Sequence, residues 1–227
     1  MLQKPLLFFS LLLAFSACQS PDNQVIAQTG KDIYKIKDYV QDKGYEKYEV
    51  ATLAGGCFWC TEAAFERING VVDVISGYSG GKKAYPTYSE VSNKQTDHAE
   101  AIQIYYDPAV LNFEQILDIF FVAHDPTTLN RQGPDVGPQY RSEIFYHNDA
   151  QKAAATAKMQ QLNASGTFSS HIVTALSAYR EFWVAESYHQ DYYEYNPGNP
   201  YVQRISKPKV EKVMKTFAPM LKDKYKK

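Results

Sequence analysis

The sequence predicts an α+β protein, a two-layer sandwich built on a ferredoxin-like split β-α-β core. Three observations lead there. Between residues 48 and 147, segments of strand and helix character follow one another in the order β-α-β-β-α-β. The helix after Asn112 carries a single apolar stripe, as a helix covering one face of a sheet does. With 227 residues, 44% hydrophobic and 22% charged, the chain has the composition of a globular protein and the length for one good-sized domain or two small ones.

Each element has its own signal. Residues 48–54 (YEVATLA) read as a strand that Gly55-Gly56 breaks. Residues 58–68 suit a helix with Phe65 and Ile68 facing inward and Gly70 just past its end. VVDVISGY (71–78) is a second strand, and HAEAIQIYY (98–106) a third whose faces alternate. Asn112 caps the next helix, Gln115 completes a capping box, and Phe113, Ile116, Leu117, Phe120 and Phe121 form its stripe. YRSEIFYH (140–147) is the fourth strand. Asn148 then caps a helix rich in Ala and Gln running to about Leu162, and HIVTALSA (171–178) reads as a fifth strand.

Net charge is −1, so no broad basic field points to nucleic acid or to anionic membranes. Core and strand filling accounts for most of the 18 Tyr and 12 Phe. No internal repeat is visible.

The first 18 residues stand apart. Lys4 precedes an apolar run from Leu6 to Phe15, interrupted by Ser10, and Ser16-Ala17 lead to Cys18. That run is shorter than the roughly 20 residues a bilayer-spanning helix needs. A cationic start, a short apolar core and small residues at its end make an export signal; a buried N-terminal helix is the alternative. Phe15-Ser16-Ala17-Cys18 resembles a bacterial lipobox, which implies lipidation of Cys18 and a membrane-anchored protein of the bacterial envelope. Phe15 stands where Leu is usual, so cleavage without a lipid is the competing outcome. Gln19 after the cysteine implies outer-membrane sorting by the same resemblance. Residues 19–46 are polar, contain Pro21, Gly30 and Gly44 and lack an apolar period, and so read as a flexible tether. The domain is expected to occupy 47–227.

Two cysteines remain in that domain, within Gly55-Gly56-Cys57-Phe58-Trp59-Cys60, where a strand turns into a helix. Free N–H groups and the dipole at a helix start favour an anion, so Cys57 is expected to be a stabilised thiolate. A three-residue step lets Cys60 reach Cys57. A structural disulfide is the plain alternative, although so small a loop stabilises little. Zinc would need further ligands, and no second Cys pair or close His pair exists. Thiol–disulfide exchange of the thioredoxin kind is the chemical rival.

GGCFWC followed by TEAAFERINGV, SGYSGG, PTYSEV, DHAEAIQIYYDP, HDPTTLNRQGPDVGPQYRS and AESYHQDYY resembles the A-type peptide-methionine sulfoxide reductases, from about residue 49 to 195. The resemblance implies that Cys57 is the nucleophile and that Phe58 and Trp59 grip the methyl group of the sulfoxide. It implies a catalytic acid at Glu100, hydrogen bonds to the sulfoxide oxygen from Tyr88 and Tyr140, and a substrate-site acid at Asp135. On a strand face shared with Ile102, Ile104 and Tyr106, Glu100 would be poorly hydrated and protonated, as a general acid must be. A strand-end glutamate turned to solvent is the bland alternative, and by themselves the two tyrosines read as core and Asp135 as a turn cap.

Two departures from the family pattern stand out. EVSNKQTDHAE places Ser92 and Asp97 where a Cys and a Gly are common, and the C-terminal tail (PKVEKVMKTFAPMLKDKYKK) holds no cysteine. Cys60 is therefore the expected resolving thiol. The implied cycle is attack of Cys57 on a methionine S-sulfoxide, a Cys57 sulfenic acid, a Cys57–Cys60 disulfide, and reduction by a thioredoxin-like partner. Oxidised proteins are the implied substrates; no metal or organic cofactor and no nucleic acid is implied.

Overall fold

The computed structural model describes residues 33–226. The signal segment, Cys18 and the tether as far as residue 32 lie outside the described residues. The described chain runs β1 (Tyr34–Lys35), α1 (Ile36–Val40), β2 (Glu49–Gly55), α2 (Phe58–Glu66), β3 (Val71–Ser79), α3 (Tyr88–Ser92), β4 (Ala99–Tyr106) and α4 (Phe113–Ala123). A short hairpin β5 (Arg131–Gln132) and β6 (Asp135–Val136) follows, then β7 (Ser142–Tyr146), α5 (Asp149–Ser165), β8 (Ala175–Ala178) and β9 (Phe182–Val184). The chain closes through α6 (Tyr192–Tyr195), a π-helical turn (Val202–Ser206) and α7 (Lys207–Thr216).

The main sheet has the order β1-β9-β3-β4-β2-β7-β8. Its centre, β3-β4-β2-β7, is antiparallel throughout and is made of the four strands expected between 48 and 147. Two β-α-β crossovers, each skipping one strand, produce this order, so the split β-α-β core expected from the sequence is present. The fifth expected strand forms over Ala175–Ala178 and pairs parallel with β7. Asn112 and Gln115 make the expected reciprocal capping box, and Asn148 caps α5. Between 79 and 97 the sequence indicated no element; α3 sits there, held by a capping box of Thr87 and Glu90.

Side-chain alternation along β4 divides the core. Ile102, Ile104 and Tyr106 belong to the larger cluster with Phe58 and Phe65 of α2 and Ile116, Leu117 and Phe120 of α4. Ala99, Ala101 and Tyr105 point the other way, into a second cluster with Ile75, Phe145 and Val184. Both faces of the strand are thus covered, and all eight of its residues are buried.

That second face explains why the expected tether is too long. Within 33–46, Tyr34 and Lys35 pair with Val184 and Trp183 at the sheet edge. Ile36 is buried in the second cluster, with Tyr39, Val40 and Tyr45 packed against it. The Tyr45 ring lies 4.6 Å from that of Tyr105, and its hydroxyl donates to Asp73 at 2.6 Å. A half-apolar stretch with no helical or strand period still folds when an open sheet face offers it apolar surface. At the other end α7 packs on α2 and α4, burying Val210 and Val213.

Removing the Asn112 cap by Asn112→Ala should cost about 1 kcal/mol of stability. Urea unfolding is expected to show a lower midpoint at unchanged slope, since the variant loses a cap and no core surface.

Candidate active site

The end of β2 is built for close approach. Gly56 has φ +89°, and a Cβ there would run into the Gln132 side chain, so a residue with a side chain is excluded by strain and space alike. The chain turns sharply and delivers Cys57 as the N-cap of α2. The first free N–H of that helix, from Phe58, donates to Glu100 Oε2 at 3.2 Å. The carboxyl of the neighbouring strand therefore takes the helix start that was expected to serve a thiolate.

This corrects the expected charge on Cys57. Its thiol is 5% exposed, and burial pushes it well above the usual thiol range, with Cys60 and Glu100 adding to the effect. The lowered thiol is Cys60, brought down to about 7 by a hydrogen bond from Cys57, by Lys209 and by Ser206, against the effect of its burial. Both cysteines are reduced.

Glu100 is 2% exposed, and its carboxyl is raised to about 8. Burial is the main cause; Asp135 and Cys60 add to it, and the Phe58 N–H opposes it. The solvent-facing alternative for this residue is excluded by its place in β4, opposite Tyr78 of β3.

Cys57, Phe58, Trp59, Tyr88, Glu100, Asp135 and Tyr140, expected from widely separated stretches, line a single cavity of about 320 Å³. That is room for a side chain or a small molecule. Burial raises the Tyr88 hydroxyl to about 12 and pushes that of Tyr140 up as well, so both stay protonated donors at neutral pH. Phe58 is 1% exposed and joins the main core cluster, so it is a core anchor as well as a cavity wall. Cys60 lies behind Cys57, its thiol donating to Ser206 Oγ at 3.2 Å.

Sequence reading missed several residues that complete the site. Asn199 and Tyr201 line the cavity, and the Tyr201 hydroxyl donates to Asp135 Oδ2 at 2.5 Å. Burial raises Tyr201, and its neighbours include Cys57. His189 is buried and accepts from Trp59 Nε1 at 3.1 Å, while its ring packs 4.4 Å from Tyr88 and 5.0 Å from Phe58. Burial lowers His189 to about 4, so it is the neutral imidazole at ordinary pH. Tyr192 stacks on Trp59 at 3.8 Å. Glu186 accepts from the Tyr88 backbone N–H and from the Tyr78 hydroxyl, each at 2.8 Å. AESYHQDYY holds three of these side chains, Glu186, His189 and Tyr192, and its density of polar and aromatic residues was the available signal.

The departures are absorbed locally. Asp97 accepts from the Lys82 backbone N–H at 2.9 Å, a bond that holds its carboxyl below the usual range. Gly81 N–H donates to His98 Nδ1, so the 81–83 loop is tied to the residues just before Glu100. The Ser92 hydroxyl donates to the Ser89 carbonyl within its own helical turn.

A family model for peptide methionine sulfoxide reductase matches residues 49–221. The chain is 56% identical to the peptide methionine sulfoxide reductase MsrA 1 of Rhodopirellula baltica, over 77% of this chain and 90% of that protein. It is 48% identical to the Thermus thermophilus MsrA, over 77% and 98% respectively. Among solved structures, reduced Mxr1 of Saccharomyces cerevisiae is similar at TM-score 0.61 and 38% identity, covering 67% of this chain and 88% of that one. Methionine sulfoxide reductase A of Corynebacterium diphtheriae is similar at 0.60 and 32%, covering 68% and 78%.

Proposed function

The chain belongs to the peptide methionine sulfoxide reductase family, and from that premise we propose that Cys57 takes the oxygen from a methionine S-sulfoxide held in this cavity. The observation that carries the reading is the meeting of a thiol, a protonated carboxyl and an aromatic wall around one space. Cys57 Sγ attacks the sulfoxide sulfur. Glu100 delivers a proton to the oxygen, and the Tyr88 and Tyr140 hydroxyls donate to it as negative charge develops there. Breaking the S–O bond of the substrate releases methionine and leaves Cys57 as a sulfenic acid, so the substrate is reduced by two electrons and Cys57 is oxidised by two. Cys60 condenses with the sulfenic acid, water leaves, and a Cys57–Cys60 disulfide remains. A thioredoxin-like dithiol returns both thiols and carries away the oxidising equivalents. Trp59, fixed by its bond to His189 and its stack on Tyr192, offers the face against which a substrate methyl group packs.

The test is thiol titration of the purified protein before and after methionine sulfoxide, with methionine release measured alongside. Loss of two thiols per methionine formed is expected. Loss of none while methionine appears would overturn the thiol mechanism. A plain disulfide oxidoreductase would lose no thiols to the sulfoxide.

Trp59→Ala should raise KM for a sulfoxide peptide well above its effect on the thermal midpoint, because Trp59 is half-buried at the cavity wall. Phe58→Ala should instead cost about 3–5 kcal/mol of stability, as expected for a core aromatic. Melting curves read beside steady-state kinetics separate the two roles.

We also propose export on a signal segment ending at Cys18, supported by Lys4, the Leu6–Phe15 apolar run and the lipobox-like Phe15-Ser16-Ala17-Cys18. Mass spectrometry of the mature N-terminus is expected to show an acylated Cys18. A mature chain that begins beyond Cys18 would leave export without an anchor.

A further inference from the structure

Cys60 is 2% exposed and does not line the cavity, whereas Cys57 does. Behind Cys60 lies the start of the C-terminal helix. Ser206, fully buried, sits 3.2 Å from the Cys60 sulfur through its hydroxyl. Lys209 follows three residues later, one turn along the same helical face. Its Nζ is buried and has no hydrogen-bond partner among the described residues. A buried ammonium without a partner is expensive to keep unless an anion forms near it. The ionisable groups acting on Cys60 are Cys57 beside it, Glu100 from β4, Asp135 from β6, Tyr193 from α6, Tyr201, and Lys209 as the cation. Asp135 opposes a charge on Cys60, and Lys209 favours it.

We propose that Lys209 and Ser206 are positioning residues that hold Cys60 as the charged member of the cysteine pair, and that this sets the direction of thiol exchange when the enzyme is recycled. The inference rests on the reading of Cys60 as the resolving thiol. In the forward step, Cys60 thiolate bonds to the sulfenic sulfur of Cys57; the S–O bond breaks, and the hydroxide leaves as water with a proton from solvent. In the return step, the partner's thiolate reaches the sulfur that faces the cavity. It bonds to Cys57, the Cys57–Cys60 bond breaks, and its electron pair leaves on Cys60, where Lys209 and Ser206 receive it. The partner's second thiol then attacks the partner's own sulfur in the mixed disulfide. The partner departs oxidised, and Cys57 leaves as a thiol with the second thiol's proton. The lowering of Cys60 to about 7 agrees with this arrangement.

Two measurements test it. In a Cys57→Ser background, the thiolate absorbance of Cys60 is followed against pH, which needs no disulfide and no substrate. Lys209→Met should raise the midpoint by about one pH unit, about a tenfold drop in the thiolate fraction at pH values well below the wild-type midpoint. Lys209→Arg should restore it, and Ser206→Ala should raise it by less. If both Lys209→Met and Ser206→Ala fold, by circular dichroism and melting, and leave the midpoint in place, the proposal is overturned. Should Lys209→Met fail to fold, Ser206→Ala and Lys209→Arg decide on their own. Second, the oxidised enzyme is mixed with a thioredoxin whose second cysteine is replaced by serine, and the trapped mixed disulfide is mapped by peptide mass spectrometry. It should map to Cys57 and form more slowly in Lys209→Met. Attachment to Cys60 would overturn the direction. Failure of the wild-type protein to form the Cys57–Cys60 disulfide with sulfoxide would instead sink the resolving role, and the pH midpoint reads independently of that.

Discussion

A Cys60→Ser variant should release about one methionine per enzyme molecule and then stop. The nucleophile and the acid are untouched, so the first chemical step survives. The product of that step is a sulfenic acid on Cys57 with no thiol beside it, because Cys57 and Cys60 are the cysteines of the described chain. A dimedone-type probe should label Cys57, and turnover coupled to thioredoxin should be largely abolished. Small thiols added in excess should restore slow turnover by attacking the sulfenic acid directly. Cys57→Ser should give no burst, since the remaining thiol sits behind the cavity against Ser206. The roles are reversed if Cys60→Ser shows no burst while Cys57→Ser keeps one. Rapid-quench measurement of methionine, with mass spectrometry of the labelled cysteine, distinguishes these outcomes.

Glu100→Gln should lower the rate of sulfoxide reduction by roughly 10²–10⁴-fold, because an amide accepts the Phe58 N–H but has no proton to deliver. The pH dependence carries the diagnosis. The active form of Glu100 is the protonated one, and its carboxyl is raised to about 8. The wild-type rate should therefore hold from acid to neutral pH and fall as pH rises through about 8, and the variant should lack that alkaline limb. Stability follows the same sign. A carboxyl raised in the folded state binds its proton more tightly there than in the unfolded chain. Its contribution is thus complete below the unfolded value near 4.5 and is lost as pH climbs towards about 8. In Glu100→Gln that slope should flatten, measurable as urea midpoints across the range. A folded variant with the wild-type rate at every pH would remove Glu100 from the role of acid.

Much of this was legible in the residues themselves. The four central strands and the two helices between them were readable because their signals are local. Alternation marks β4, a capping box marks the start of α4, and Gly55-Gly56 marks the break before Cys57. The site residues were readable because their motifs are short and distinctive. What escaped was set by neighbours distant in sequence. Residues 33–46 carry no period of their own, and they fold because β3 and β4 leave an apolar face that Ile36 and Tyr45 can cover. Tyr201 looks like any other tyrosine until its hydroxyl is found on Asp135, 66 residues away.

By itself, then, the sequence determined the order of the core elements, the helix caps and the place of a paired-cysteine turn between a strand and a helix. These depend on φ/ψ preferences and side-chain spacing, which each short stretch carries with it. Only the tertiary structure decided what surrounds each thiol. Spacing put Cys57 at the helix start and suggested a thiolate there. In the folded chain Glu100 of β4 takes the Phe58 N–H, and Ser206 and Lys209 of the C-terminal helix stand behind Cys60. A thiol's acidity is the balance of its own desolvation against every dipole and charge around it, and most of those come from parts of the chain that meet only when it folds.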